Sequence, residues 1–371
     1  VNDRLAGRLK DRACGIGFDA VGLTSAAPLD LAERALREAV ESGRLRDYGF
    51  ARRPAGCFTR PDLALPGAKT IVAVAISYLA AEPEGRRECV LGRVARFARG
   101  RDYHVVLEER LRELGKWLSA EAGGASYRIC ADTGPMIDRA AAWRAGIGSY
   151  GKNTCIITRE SGSWVVLGEL VTDVELTPDQ PKPIEECGDC SICLSACPSK
   201  AILRPFVIDR TRCISHLTQM RGFSPLDLRP LIGDRIYGCD TCQEVCPKND
   251  GARPGAFPMD VGLGGQPDLI PLLNIGVHDF DRLIGPTAMG WIGRRNFRRN
   301  VAVALGNIGD PSAVRALGEA LDDPEPVIRA HAGWALGQTG GPRARRALER
   351  VLEREGHDRV SKELRSALAR L

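Results

Sequence analysis

Eight of the chain's thirteen cysteines fall between residues 187 and 246, and their spacing restricts what that stretch can become. Cys187, Cys190, Cys193 and Cys197 read C-x2-C-x2-C-x3-C and close on Pro198. Cys213 stands alone, and Cys239, Cys242 and Cys246 then read C-x2-C-x3-C and close on Pro247. A disulfide framework belongs to small secreted domains, whereas this chain runs to 371 residues and its opening does not read as a signal peptide. Structural zinc uses paired C-x2-C knuckles, to which the x3-C-P endings are foreign.

The spacing that remains is that of bacterial ferredoxins, in which three cysteines hold one 4Fe–4S cluster and the fourth reaches across to a second. That crossing rule assigns one cluster to Cys187, Cys190, Cys193 and Cys246, and another to Cys197, Cys213, Cys239 and Cys242. Two clusters in series form an electron conduit, so a reduction is expected somewhere in the chain. The other thiols, Cys14, Cys57, Cys89, Cys130 and Cys155, lie among apolar neighbours and are expected to be buried and inert.

The charge is uneven. The whole chain carries +5, but from Arg282 to the C-terminus sixteen Lys and Arg face ten Asp and Glu, a balance of +6 that leaves −1 for the remainder. A basic tail on a near-neutral body suggests an anionic partner, with nucleic acid first. A solvated arginine-rich helical surface has the same composition. The longest apolar run, Ile71 to Ala81, is too short to span a bilayer and reads as a buried strand. Cluster thiols and the lack of a targeting segment point to a cytoplasmic protein without membrane attachment.

Periodicity divides the chain into three. Residues 1–178 alternate helical and strand patterns, with strands expected near 20–23, 70–78, 126–130, 155–158 and 163–174, and helices at 2–14, 31–42, 103–120 and 136–145. This reads as an α/β domain. Pro178, Pro181 and Pro183 lead into a ferredoxin-like domain at 179–256. Residues 257–371 comprise a Gly- and Pro-rich linker and an internal repeat: ALGNIGDP from Ala304 recurs as ALGQTGGP from Ala335, 31 positions later. Such units, helix, Gly-x-x-Gly turn and helix, resemble HEAT repeats. The fold class is therefore multidomain α+β with an all-α end. Arg294, Arg295, Arg298 and Arg299 open the array and are placed to grip phosphates, unless they merely mark an exposed helix end.

In the first domain, Asp132 of Ala131-Asp132-Thr133-Gly134-Pro135 follows a strand, where α/β domains place ligands. In an apolar pocket its carboxyl would have a raised pKa and could donate a proton. Pattern alone favours another role, capping the helix near Pro135. The glycine-rich run Arg144 to Thr154 lacks the order of a Rossmann or P-loop site, and its glycines read as room for backbone to approach a large flat ligand.

Arg101-Asp102-Tyr103-His104, Asp132-Thr133-Gly134, Arg144-Ala145-Gly146-Ile147-Gly148 with Gly151-Lys152-Asn153, Arg212-Cys213-Ile214-Ser215, Tyr237-Gly238-Cys239-Asp240-Thr241-Cys242-Gln243 and Arg299-Asn300 together resemble the epoxyqueuosine reductase family over nearly the whole chain. The resemblance implies a cytoplasmic enzyme, related to reductive dehalogenases, that uses cobalamin and two 4Fe–4S clusters for the last step of queuosine formation on tRNA. It implies Asp132 as proton donor, which displaces the capping role. It implies cobalamin contacts at Asp132, Ile156, Leu167 and Ser215, and tRNA contacts at Arg221, Gly222, Arg294, Arg295 and Arg298. One segment departs from the family: Gly56-Cys57-Phe58-Thr59-Arg60-Pro61 lacks the usual arginine, and Arg60 is the nearest substitute. No histidine stands in a lower-ligand motif, so cobalamin is expected base-off, with His104 and His216 structural or peripheral. The competing activity is cobalamin-dependent reduction of a small molecule. A monomer taking electrons from a separate, unidentified donor is expected.

Overall fold

The structure, a computed structural model, describes residues 3–45, 52–80, 89–180 and 187–371. It divides into two compact units, neither continuous in sequence: Val1–Ala81, Asp102–Thr211 and Thr241–Pro258 form the first, and Glu82–Arg101, Arg212–Asp240 and Met259–Leu371 the second. The expected break at 256 falls two residues before the boundary at Pro258, whereas 178 lies inside the first unit. Residues 241–258 return to the first unit through buried polar contacts that hydropathy cannot signal. Gln243 Oε1 accepts from Ser163 Oγ at 2.9 Å and from Tyr78 Oη at 3.3 Å, and Asn249 donates to Ser163 Oγ at 2.9 Å.

The first unit is built on a four-stranded sheet in the order Ala20–Ser25, Thr70–Ser77, Val165–Thr172, Tyr127–Cys130. Every neighbouring pair is antiparallel. The expected α/β domain is therefore α+β, because a parallel sheet would need crossover connections between neighbours. Thr70–Ser77 is buried at every residue, as befits an inner strand covered on both faces. Ala73 and Ala75 pack with Ala142 of the helix Asp138–Arg144 and Ala145 at its C-cap, with Leu167 against them. On the other face Gly168 lies against Leu107 and Leu111 of the helix Tyr103–Glu121. That helix buries Val106, Leu107, Leu111, Leu114 and Leu118 at helical spacing and is capped by Asp102, whose side chain accepts the N–H of His104. The alternation along Val165–Thr172 puts residues 167, 169 and 171 beneath the helix Asp138–Arg144, and one of them is Glu169.

In the second unit the repeats form the helices Gly293–Ile308, Val314–Ala320, Pro326–Thr339, Pro342–Leu352 and Asp358–Leu368. The repeat period has a packing cause. A Cβ on Gly306 would come within 2.7 Å of Ala335 Cα, and one on Gly337, 31 positions on, within 2.8 Å of Ala367 Cα. Each glycine lets the next helix of the array approach closely. Among the described residues no helix is long and apolar enough to cross a membrane.

Candidate active site

The strand Tyr127–Cys130 delivers Asp132 two residues beyond its end. Asp132 has φ 49°, the left-handed region that costs an L residue with a Cβ and persists only where contacts hold it. Its N–H donates to Asp138 Oδ2 at 2.9 Å, and its own Oδ2 accepts from Tyr103 Oη at 2.7 Å and meets His104 Nε2 at 3.2 Å. The capping role fails here: the next helix starts at Asp138, and its cap position is Ile137.

His104 is the residue that sequence reasoning undervalued. Its Nδ1 lies 2.7 Å from Asp102 Oδ1, so the imidazole bridges two carboxylates and stacks on the Tyr103 ring. Burial disfavours its charge, but hydrogen bonds to Asp102 and Asp132 prevail and raise its pKa to about 9. The same contacts act on Asp132 in reverse. Burial pushes its carboxyl up, while hydrogen bonds from His104 and Tyr103 outweigh that and hold it below the usual carboxylate range. The expected raised pKa of Asp132 is thus overturned: the aspartate is ionised and half exposed, and the proton sits on the histidine. The motif Asp102-Tyr103-His104 carried the signal, since a helix N-terminus presents consecutive side chains toward a facing loop.

Below Asp132 lies a pair that nothing in the residue pattern connects. Glu169 is fully buried in the sheet, opposite Cys130 in the neighbouring strand, and its carboxyl faces that of Asp138. Burial and the nearby charge of Asp132 raise Asp138 to about 7, against a hydrogen bond with Glu169 that lowers it; burial and then Asp138 raise Glu169 well above its ordinary value.

Four cysteines of the first unit, Cys187, Cys190, Cys193 and Cys246, line one recess of about 380 Å³, counting the part open to solvent, with Gly151, Lys152, Asn153, Ile157, Ile192, Pro247 and Lys248 as neighbours. Burial, then the other thiols, push the Cys193 thiol up, which shows how near the four stand to one another. Lys152 donates to Cys190 O at 2.9 Å and so ties the glycine-rich loop to the cysteine loop. Among the described residues no three His, Cys, Asp or Glu side chains close on a point as around a single ion. Four thiols spread about a recess suit a cluster instead. The other four expected ligands are split: Cys197 and Cys242 belong to the first unit, Cys213 and Cys239 to the second. Of the remaining thiols only Cys130 is buried, Cys14 is exposed, and Cys57, Cys89 and Cys155 are half-buried, which corrects the expectation for four of them.

Over residues 186–249 the chain matches the 4Fe-4S double cluster binding domain, over 59–133 the model described as Epoxyqueuosine reductase QueG, DUF1730, and over 293–369 HEAT repeats. An epoxyqueuosine reductase of Bacillus cereus is 40% identical, with 95% of this chain and 94% of the relative aligned. That of Bacillus subtilis is 38% identical over 98% and 95%. The chain belongs to the epoxyqueuosine reductase family. Among solved structures, an epoxyqueuosine reductase with an epoxyqueuosine-modified stem loop of tRNA-Tyr superposes with a TM-score of 0.93 at 38% identity, covering 99% of each chain. A Bacillus subtilis epoxyqueuosine reductase with its catalytic aspartate loop swung out of the active site gives 0.92 at 36% identity, again over 99% of each.

The residues expected to serve an epoxyqueuosine reductase are not equally available. Leu167 and Ser215 keep some exposed surface, whereas the Ile156 side chain is buried in the core with Ala142, Ala145 and Ile147. The glycine-rich loop is explained by its own hairpin, since a Cβ on Gly148 would lie 2.5 Å from Ile157 O. Arg60 pairs with Asp62 at the surface. In the second unit Arg221 and Arg295 are exposed, Arg221 lying over the ring of exposed Trp291 at 5.8 Å. Arg294 is half-buried and donates to Ile275 O. Gly222, at φ 81°, gives its N–H to Asn296. Arg298 is 5% exposed and committed to Asp323 at 2.6 Å and Leu273 O at 2.6 Å, so it has nothing left for a phosphate. Its helix face turns inward at that turn, a direction that a charge count cannot register.

Proposed function

We propose that this chain reduces epoxyqueuosine to queuosine within the anticodon loop of tRNA. The observation that carries the reading is the match to epoxyqueuosine reductases along essentially the full length of both chains, including one solved with its modified stem loop. A small-molecule reductase is disfavoured by the same end-to-end match, which includes the HEAT repeats. Removing an epoxide oxygen as water consumes two electrons and two protons. The two 4Fe–4S clusters and cobalamin, when bound, supply the electrons. Cys187, Cys190, Cys193 and Cys246 hold one cluster in this reading, and Cys197, Cys213, Cys239 and Cys242 the other. Leu167, Ser215 and the backbone at Ile156 would hold cobalamin in this reading.

The protein's own part is to deliver a proton to the departing oxygen, the second proton coming from solvent. Tyr103 and His104 both address Asp132 Oδ2, and His104 keeps its proton until about pH 9. Asp132 in this proposal is the group that presents the proton to the departing oxygen, recharged by His104 behind it. A modified base must leave the loop's stack to reach such a site. Exposed Arg221 and Arg295, with Arg294 beside them, grip phosphates, and Trp291 offers a flat apolar face next to Arg221. The functional order along the chain is then a catalytic region to 178, a cluster region to 256 and a tRNA-binding region beyond, in a cytoplasmic monomer served by a separate electron donor.

The test is anaerobic reconstitution with iron, sulfide and cobalamin, followed by incubation with epoxyqueuosine-tRNA and a chemical reductant, and mass analysis of the released nucleosides. Queuosine is expected in amounts exceeding the enzyme. Fully loaded protein that leaves the epoxide intact would overturn the proposal.

A further inference from the structure

Asp138 and Glu169 form an arrangement in the first unit whose chemistry the proposed reaction does not use. Both are carboxyls, they face each other, and they sit directly behind the Asp132 loop. Glu169 has no exposed surface, and Asp138 Oδ1 is sealed from solvent although the rest of that residue is half-buried. Among the described residues neither Glu169 oxygen nor Asp138 Oδ1 finds a donor. Two ionised carboxylates in that position would repel each other in a medium of low dielectric without compensation. A proton on one of them removes the charge and supplies the missing donor. Asp138 Oδ2 then remains free to accept, and what it accepts is the N–H of Asp132 at 2.9 Å.

We infer that Asp138 and Glu169 share one proton and act as a latch that positions the Asp132 loop, Glu169 donating to Asp138 and Asp138 holding the Asp132 backbone. The inference rests on the catalytic reading of Asp132. That residue occupies a left-handed conformation that its own side chain disfavours, so something must hold the peptide there. An ionised acceptor holds an N–H roughly twice as strongly as a neutral one. The latch is thus firm while Asp138 is charged and slackens once it is protonated, which places its titration at about pH 7. The charged and titratable groups around it do not change there. Asp132 is held below the carboxylate range, His104 above neutrality at about 9, Tyr150 above its ordinary value, and Cys130 is pushed further up by burial and Glu169; the nearby guanidinium groups are those of Arg139, bonded to Thr154, and Arg128. Asp138 and Glu169 are positioning residues, since neither meets the substrate.

Two measurements test this. In the infrared spectrum of the purified protein at about pH 8.5, where Asp138 is ionised, a protonated-carboxyl carbonyl band is expected that is missing from Glu169→Gln. Single-turnover reduction by reconstituted holoenzyme, at saturating tRNA from pH 5.5 to 9, is expected to decline below about pH 7 in the wild type. Glu169→Gln, whose amide still donates to Asp138, should keep that decline. Asp138→Asn should abolish it and run about tenfold slower at high pH, as misplacement of a catalytic group does, with unchanged affinity for tRNA. An Asp138→Asn enzyme that retains the wild-type decline, or spectra of wild type and Glu169→Gln without a carboxyl difference, would overturn the latch. Should Asp138→Asn not fold, the infrared comparison decides alone. A wild type inactive on tRNA would strike the functional reading, while the infrared comparison would still support or overturn the shared proton.

Discussion

Both units bury charged side chains, and they treat them in opposite ways. In the second unit Arg229, with no exposed surface, makes a two-pronged pair with Glu363 at 2.6 and 3.0 Å and lies against the Trp334 ring. Arg298 is matched by Asp323. Arg299 donates instead to the carbonyls of Leu217, Thr218, Met220 and Gly222 and to Asn300. Burial and the nearby Arg229 and Arg295 lower its pKa to about 9, so it stays a cation at neutral pH. In the first unit Glu169 and Asp138 are buried, and among the described residues no cation bonds to their sealed oxygens. Buried charge that is fully matched builds architecture, and removing one partner is what costs. Buried charge left unmatched must change protonation state, and that is where titration and chemistry concentrate. The contrast marks the first unit as the reactive one without reference to any cofactor.

Asp132→Asn should break the contrast most sharply if the reading is wrong. Turnover is expected to fall by about 10² to 10⁴-fold, the range for loss of a general acid, with tRNA affinity within twofold by filter binding. Near-normal turnover would move the proton chemistry elsewhere. The next effect belongs to the other unit. Arg229→Ala should destabilise the fold by about 3–5 kcal/mol in urea titrations, because Glu363 loses its two-pronged partner and is left buried with the more distant Arg359 at 3.8 Å. Arg229→Met combined with Glu363→Leu should recover most of that loss. If it does not, matched charge contributes more here than filling space.

His104 lies between the two regimes, since it is charged and matched yet sits in the reactive site. Its folded pKa, about 9, exceeds the ordinary 6.5, so its contribution is complete below pH 6.5 and lost as pH rises through 9. On the order of 2–3 kcal/mol is at stake. Thermal melts of wild type and His104→Asn should differ at pH 6 and converge near pH 10. The smallest effects are expected at the exposed arginines. Arg221→Ala and Arg295→Ala should each lower the salt dependence of tRNA binding by about one unit of log–log slope. Arg298→Ala should lower stability and leave that slope alone. A slope change in Arg298→Ala would show that the buried arginine does reach the tRNA.

What could be read in advance follows from the range of each interaction. The cluster ligands were legible because cluster geometry fixes spacings of two and three residues between cysteines. The repeat was legible because Gly306 and Gly337 each answer one helix contact. The strands were legible as apolar runs, but their pairing was not, and an antiparallel sheet replaced the α/β order. Asp132 was found by its place after a strand. Its protonation was misjudged because His104, 28 residues earlier, decides it. Glu169 offered no sign at all, since one acidic residue in an apolar strand does not reveal which helix lies above it.

The carbonyls held by Arg299 carry a last consequence, for how such a chain can be cut or shuffled. Those carbonyls, with the ones at Thr218 and Ile236 that Asn300 serves, belong to the segment that follows Cys213. Their donors come from the first helix of the repeats. The repeat array is therefore not a cassette that could be trimmed off to leave the cluster region intact. A shortened version ending before Arg299 would strip these carbonyls, in the segment that follows Cys213, of the donors that Arg299 and Asn300 supply. Losing affinity for tRNA and losing the fold around Cys213 should accompany each other in any such deletion.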